Sequence, residues 1–140
     1  MIKYEKLPKN ILSRIQNLKN VLLQDGNIIF AYLFGGLTKG EVKDLSDIDI
    51  AVYLKDTGNL AGYKLQLFDR LSNALGTSEL DLVMLNTVSL SIAGRILQNK
   101  KLLIDKEPFR RHIYESITLR EFFDFKVKED AFFARRYGIG

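Results

Sequence analysis

Asp47 and Asp49 stand two residues apart in Ser46-Asp47-Ile48-Asp49-Ile50-Ala51-Val52-Tyr53, where acidic and apolar residues alternate. On an extended strand that spacing puts both carboxylates on one face and Ile48, Ile50 and Val52 on the other. Two ionised carboxylates held this close repel each other unless a cation or hydrogen-bond donors compensate. The chain has no cysteine and a single histidine, His112, so a cation held here is held by oxygen, and the matching ion is Mg2+. Asp81, set among Leu80, Leu82, Val83 and Met84, is the third candidate ligand, because an uncompensated acid inside an apolar strand is costly. Three carboxylates suffice for two Mg2+ ions, which would align an attacking hydroxyl with a nucleoside triphosphate and stabilise charge on the attacking and leaving oxygens. The competing structural reading of the pair is that Ser46-Asp47 caps a turn and Asp49 is solvated on the open face of an edge strand.

A second chemical element lies upstream. Gly35-Gly36 follows the apolar run Ile28 to Phe34, and Thr38, Lys39 and Gly40 come next. Backbone N–H groups in a glycine turn after a strand cradle phosphate, and Lys39 adds a cation that can meet it. Strand, glycine turn, short basic segment, Asp-x-Asp strand and strand aspartate, in that order, form a stronger signal than any member alone.

These residues need elements to position them. Ile11, Ile15, Leu18 and Leu22 recur at helical spacing after Pro8, and Gly26 ends that helix. Ile28 to Phe34 is rich in β-branched and aromatic residues and reads as a buried strand. The second strand spans Asp47 to Tyr53. Tyr63, Leu67, Phe68, Leu71 and Leu75 mark a helix stopped by Gly76. Glu79 to Leu85 is a third strand, Ser89 to Gln98 a helix, Leu102-Leu103-Ile104 a short strand, and the chain is helical again from Pro108. The pattern is one α/β (α+β) domain over residues 1–140, with a core of about 28–105 and a C-terminal helical segment of about 107–137.

Composition sets the outer limits. With 140 residues, 46% hydrophobic and 27% charged, the chain has the make-up of a single domain with one sizeable core. No window approaches the ~20 apolar residues needed to cross a bilayer. The N-terminus MIKYEKLPKN is too polar for a signal peptide, so a cytoplasmic protein with no membrane partner is expected. Absence of cysteine excludes a disulfide framework, a thiol nucleophile and a zinc knuckle. A net charge of +4 favours anionic ligands such as nucleotides, without pointing to nucleic acid.

Phe34-Gly35-Gly36-Leu37-Thr38-Lys39-Gly40-Glu41 followed by Leu45-Ser46-Asp47-Ile48-Asp49-Ile50-Ala51-Val52 resembles the nucleotidyltransferase signature Gly-Ser-x-x-x-Gly then Ser-Asp-x-Asp, with Asp81 where the third acid is expected. Over about residues 28–105, including Leu85-Asn86 and Leu102-Leu103-Ile104, the chain is similar to the minimal nucleotidyltransferases that act as antitoxins beside HEPN-domain toxins. The resemblance implies a mixed β-sheet flanked by helices, ATP as donor with Mg2+, and transfer of AMP to a tyrosine of a HEPN toxin. It assigns Asp47 and Asp49 to bridge two Mg2+ ions, Asp81 to the metal beside the acceptor hydroxyl, and Gly35, Gly36 and Ser46 to the triphosphate. Lys39 is a further phosphate contact. The motif serine is Gly36 here, which removes one hydroxyl donor and keeps the backbone N–H. A lost hydrogen bond of this kind costs about 0.5–1.5 kcal/mol, so weakened rather than abolished activity is expected.

Two other functions remain open on the sequence: an antitoxin that neutralises its toxin by binding alone, and nucleotidyl transfer to a small hydroxylated molecule such as an aminoglycoside. The short chain beyond Ile104 disfavours the second, since an acceptor pocket needs walls. Homo- and hetero-oligomers are both compatible with the sequence. Arg111-His112-Ile113-Tyr114 contains the His-x-Tyr of HEPN nucleases but lacks their upstream arginine, and reads as a packed or surface helix. Phe122, Phe123, Phe125, Phe132 and Phe133 form a face that needs covering by the domain or by a partner.

Overall fold

The computed structural model describes residues 11–35 and 48–137. Eight elements follow one another: α1 (Ile11–Gln24), β1 (Ile28–Phe34), β2 (Ile48–Leu54), α2 (Leu60–Leu75), β3 (Leu80–Met84), α3 (Leu90–Gln98), β4 (Lys100–Asp105) and α4 (Pro108–Tyr137). The helix ends follow local chemistry. Asn59 and Ser89 accept backbone N–H bonds from Gly62 and Ile92 at the starts of α2 and α3. Gly76 takes φ +73° to close α2, where the Arg14 guanidinium also donates to the carbonyl of Leu75.

The strands form one mixed sheet in the order β3-β2-β1-β4. β1 is antiparallel to both β2 and β4, and β2 is parallel to β3. α1 and α2 cover one face, burying Leu18, Leu22, Leu67 and Leu71 against Ile48, Ile50, Val52 and Leu82. On the other face Tyr32 and Ala51 pack with Leu85 and with Ile96 and Leu97 of α3, and Tyr53, Tyr114 and Leu119 lie against this cluster. Both faces of the central strand are therefore buried, which explains the unbroken apolar run of β1. Ile29 and Phe30 share one face because the register slips between Ile28 and Phe30. Asn86 extends the sheet with its side chain, accepting from Leu54 N–H and donating to Leu54 C=O at 2.8 and 2.9 Å.

α4 is tied to the sheet by a polar lock. The Tyr32 hydroxyl donates to Glu115 at 2.5 Å, and Arg111 bridges Glu115 and Asp105. Burial and the neighbouring Glu115 carboxylate hold the Tyr32 phenol well above its ordinary range. In the Arg111–Tyr114 segment, His112 is exposed and Tyr114 packs on Phe30 and Tyr53, as expected of a packed surface helix. Of the phenylalanines on this helix only Phe122 is buried, against Gly94 of α3, where a side chain would strike its ring.

Asp25 joins α1, β1 and α2. It is 8% exposed and accepts hydrogen bonds from the Tyr63 hydroxyl, the Arg70 guanidinium and the Asn27 N–H. Burial alone would raise its pKa, but Arg70, Asn27 and Tyr63 together hold the carboxyl below its ordinary value. A carboxylate with a depressed folded-state pKa stabilises the fold at every pH above its unfolded value, and the contribution is lost as pH falls through the lower folded one. Asp25→Ala is expected to cost about 2 kcal/mol at pH 7, by stranding the Tyr63 hydroxyl and the Asn27 N–H. Urea unfolding of both proteins at descending pH checks this: the gap must narrow only below about pH 4.

Candidate functional site

β2 carries Asp49 on the same side as Ala51 and Tyr53, the side that α3 and α4 partly cover. β3 runs parallel to β2 with Asp81 directly opposite Asp49. In-register neighbours in a sheet lie about 4.8 Å apart, so the two carboxylates start from adjacent backbone positions on one face. β2 is an internal strand and Asp49 is half-buried, which excludes the alternative of a solvated acid on an edge strand. Asp81 is exposed. The expectation that Asp81 is buried in an apolar strand is thus corrected: β3 is an edge strand, its alternate residues Leu80, Leu82 and Met84 face the α1/α2 core, and the side bearing Asp81 is open at this end of the sheet. Its candidacy rests on register with Asp49.

Gly35 completes this end of the sheet. Its neighbour Phe34 pairs with Asp49 across β1 and β2, and the backbone turns out of the strand at Gly35 with φ +80°. A Cβ built on Gly35 would land on Asp49 Oδ2. The carboxylate is therefore seated against a backbone bare of side chain, and only glycine allows both the dihedral and the approach. The remaining predicted site residues, Gly36, Lys39, Ser46 and Asp47, lie outside the described residues, as does Thr38. Among the described residues no group of three or more acidic, histidine or cysteine side chains forms a metal cage; Asp49 and Asp81 are the two predicted ligands that the described sheet brings together.

A cleft of about 270 Å3 opens beside Gly35, lined by Phe34, Ile92, Arg95, Ile96 and Asn99. Arg95 brings a cation and Asn99 an amide to the edge of the site. Sequence reasoning missed both, because they lie on and just after α3 and reach Gly35 only through the pairing of Phe34 with Lys100 at the start of β4. The donor set fits a divalent cation and an anionic ligand: hard carboxylate oxygens on one face, a glycine backbone against one of them and an arginine alongside.

Comparison with known proteins bears on this geometry. The family model described as "Polymerase beta, Nucleotidyltransferase" matches residues 16–109. No curated protein matches the chain. Among solved structures, the chain is similar to the MNT antitoxin in complex with a tri-AMPylated Shewanella oneidensis HEPN toxin, with 22% identity, a TM-score of 0.68, and coverage of 90% of this chain and 98% of that one. It is also similar to a chain of the toxin–antitoxin MntA–HepT, with 23% identity, a TM-score of 0.67 and the same coverages. A toxin–antitoxin structure with AMP-PNP matches with 24% identity, a TM-score of 0.63, and coverage of 89% and 94%. At these identities the likeness is one of fold: a mixed sheet flanked by helices with a long C-terminal helix, as the sequence predicts.

Proposed function

The chain belongs to the nucleotidyltransferase family of polymerase beta, and from that premise we propose that it is an antitoxin that transfers AMP from ATP to a tyrosine hydroxyl of a HEPN toxin. The observation that carries the reading is Asp49, held against the bare backbone of Gly35 and in register with Asp81. The structures it resembles are described as an MNT antitoxin with a tri-AMPylated HEPN toxin and a toxin–antitoxin with AMP-PNP, which supports both donor and acceptor. In this reading residues 28–105 are the catalytic core and 107–137 the helical extension. No helix among the described residues is long and apolar enough to cross a membrane.

The tyrosine oxygen attacks the α-phosphorus of ATP, a new O–P bond forms, and the bond to the β-phosphate oxygen breaks to release pyrophosphate. Asp49 and Asp81, with Asp47, would hold Mg2+, two ions in the full arrangement; once bound there it supplies Lewis-acid polarisation of the phosphoryl oxygens and lowers the pKa of the attacking hydroxyl. Gly35, Gly36 and Ser46 orient the triphosphate through donors at the turn, with Lys39 as a cationic contact. Asp81 is exposed and accessible to an arriving acceptor, whose hydroxyl proton it accepts.

Incubating the protein with its toxin, ATP and MgCl2 and weighing the toxin tests this directly. A mass increase by one or more AMP units on a tyrosine is expected; an unmodified but neutralised toxin would replace catalysis with masking. Gly36→Ser, which restores the motif hydroxyl, is expected to raise kcat/KM for ATP about two- to twelvefold, the equivalent of a hydrogen bond of about 0.5–1.5 kcal/mol. Steady-state kinetics resolves that change, and a fall instead would mean that Gly36 is needed for its backbone conformation.

A further inference from the structure

The two flanks of Asp49 differ. Across this end of the sheet, on the face that α3 and α4 partly cover, Asp81 on β3, Asp49 on β2 and Phe34 on β1 stand side by side in register. The Asp81 flank is an exposed edge. The Phe34 flank is walled by α3, and between the two lies the cleft of about 270 Å3 beside Gly35. Neighbouring strands are about 4.8 Å apart, so the cleft begins within the reach of one ribose from a phosphate held at Asp49.

α3 turns a single face to this cleft, because Ile92, Arg95, Ile96 and Asn99 follow the i, i+3, i+4, i+7 spacing. Ile96 is buried in the core, whereas Ile92 is 48% exposed. Phe34, the other apolar wall, is half-buried. Asn99 closes the helix with its N–H on the carbonyl of Ile96 at 3.0 Å, which plants its side chain at the rim, next to the pairing of Lys100 with Phe34. Apolar walls with an amide and a guanidinium at the rim suit a flat ring whose edge carries hydrogen-bonding groups. Pockets that enclose a whole ligand run to roughly 300–1,000 Å3, so this cleft takes one part of a ligand.

On the premise of the proposed AMP transfer, we infer that the cleft seats the adenine of the donor nucleotide and that Asn99 sets the choice of base. Phe34 and Ile92 supply the walls, Asn99 pairs with the N6 and N7 edge, and Arg95 adds a cation at the rim. An amide offers two donors and two acceptor positions, enough to serve both its own chain and a ligand. Pairing with adenine N6 and N7 uses one of each. The acceptor tyrosine brings the other flat ring of the reaction, but its one polar side-chain atom is the hydroxyl, which must face the phosphate, so Asn99 and Arg95 would meet nothing. The open Asp81 edge serves that acceptor instead.

Isothermal titration calorimetry of the full chain in MgCl2, with ATP, CTP and inorganic tripolyphosphate as ligands, tests the seat without the toxin. ATP is expected to bind about tenfold tighter than CTP, the value of one bidentate pair, and Asn99→Ala should remove that preference. Ile92→Ala should weaken ATP about threefold through the apolar area it removes. Neither variant should change tripolyphosphate binding. Both side chains are exposed, so the variants fold. ATP and CTP bound alike by the parent would overturn the seat and leave the transfer reading in place. Variants that weaken tripolyphosphate as much as ATP also overturn it, since the cleft would then hold phosphate, and so do variants that spare ATP and raise KM for the toxin. Base selection of the expected pattern beside a toxin that gains no mass would overturn the transfer reading and keep the seat. Failure of every nucleotide to bind overturns both.

Discussion

Asp49→Asn lowers AMP transfer by about a thousandfold or more while leaving the fold intact, the largest single effect expected in this chain. The substitution keeps the size and most of the hydrogen-bonding capacity of the side chain and removes one negative charge from the pair it forms with Asp81. Asp49 is half-buried on an internal strand, opposite Phe34 on one side and Asp81 on the other. Without a cation the two carboxylates repel, so thermal stability in a metal chelator should hold or rise. The two measurements separate function from folding: toxin mass against time in ATP and MgCl2, and a melting curve in EDTA. Near-normal transfer by Asp49→Asn would remove this residue from the metal site and with it the proposed mechanism.

Gly35→Ala has the second largest effect, and it acts through Asp49. The added methyl would occupy the place of Asp49 Oδ2, and φ +80° is a conformation that L side chains rarely adopt. Holding alanine there costs about 1–3 kcal/mol of stability. The larger consequence is chemical, because the carboxylate must leave its seat, and a displacement of about 1 Å at a reacting centre costs on the order of a hundredfold in rate. Gly26→Ala is the matched control: a methyl at Gly26 meets nothing within 4 Å, so the same atom should leave both activity and stability close to those of the parent. Equal behaviour of the two variants would show that the seat of Asp49 against Gly35 is unimportant.

Much of the scaffold was legible because its signals are local. The apolar run of β1, the alternation in β2, the helical spacing of Leu67, Leu71 and Leu75, the stop at Gly76 and the helix start at Pro108 each depend on a few adjacent residues. The periods of strand and helix are properties of the backbone, so a sequence that buries one face must display them. The Asp-x-Asp spacing and the glycine after β1 were readable for the same reason. Strand pairing is not local. Nothing near Asp81 states that β3 lies parallel to β2 with Asp81 opposite Asp49, or that β3 is an edge strand, which is why an acid amid leucines looked buried and is exposed. Arg95 and Asn99 likewise reach the site only because Lys100 pairs with Phe34. The phenylalanines of α4 carried the need for cover in their spacing, but where the domain stops, at Phe122, depends on how far the sheet and α3 extend beneath the helix. The sequence by itself determined which residues are strand, helix and turn and which side chains can bind a cation. Tertiary structure decided which of them meet, because the sheet order is chosen by burying both faces of β1 at once, a condition no single segment contains.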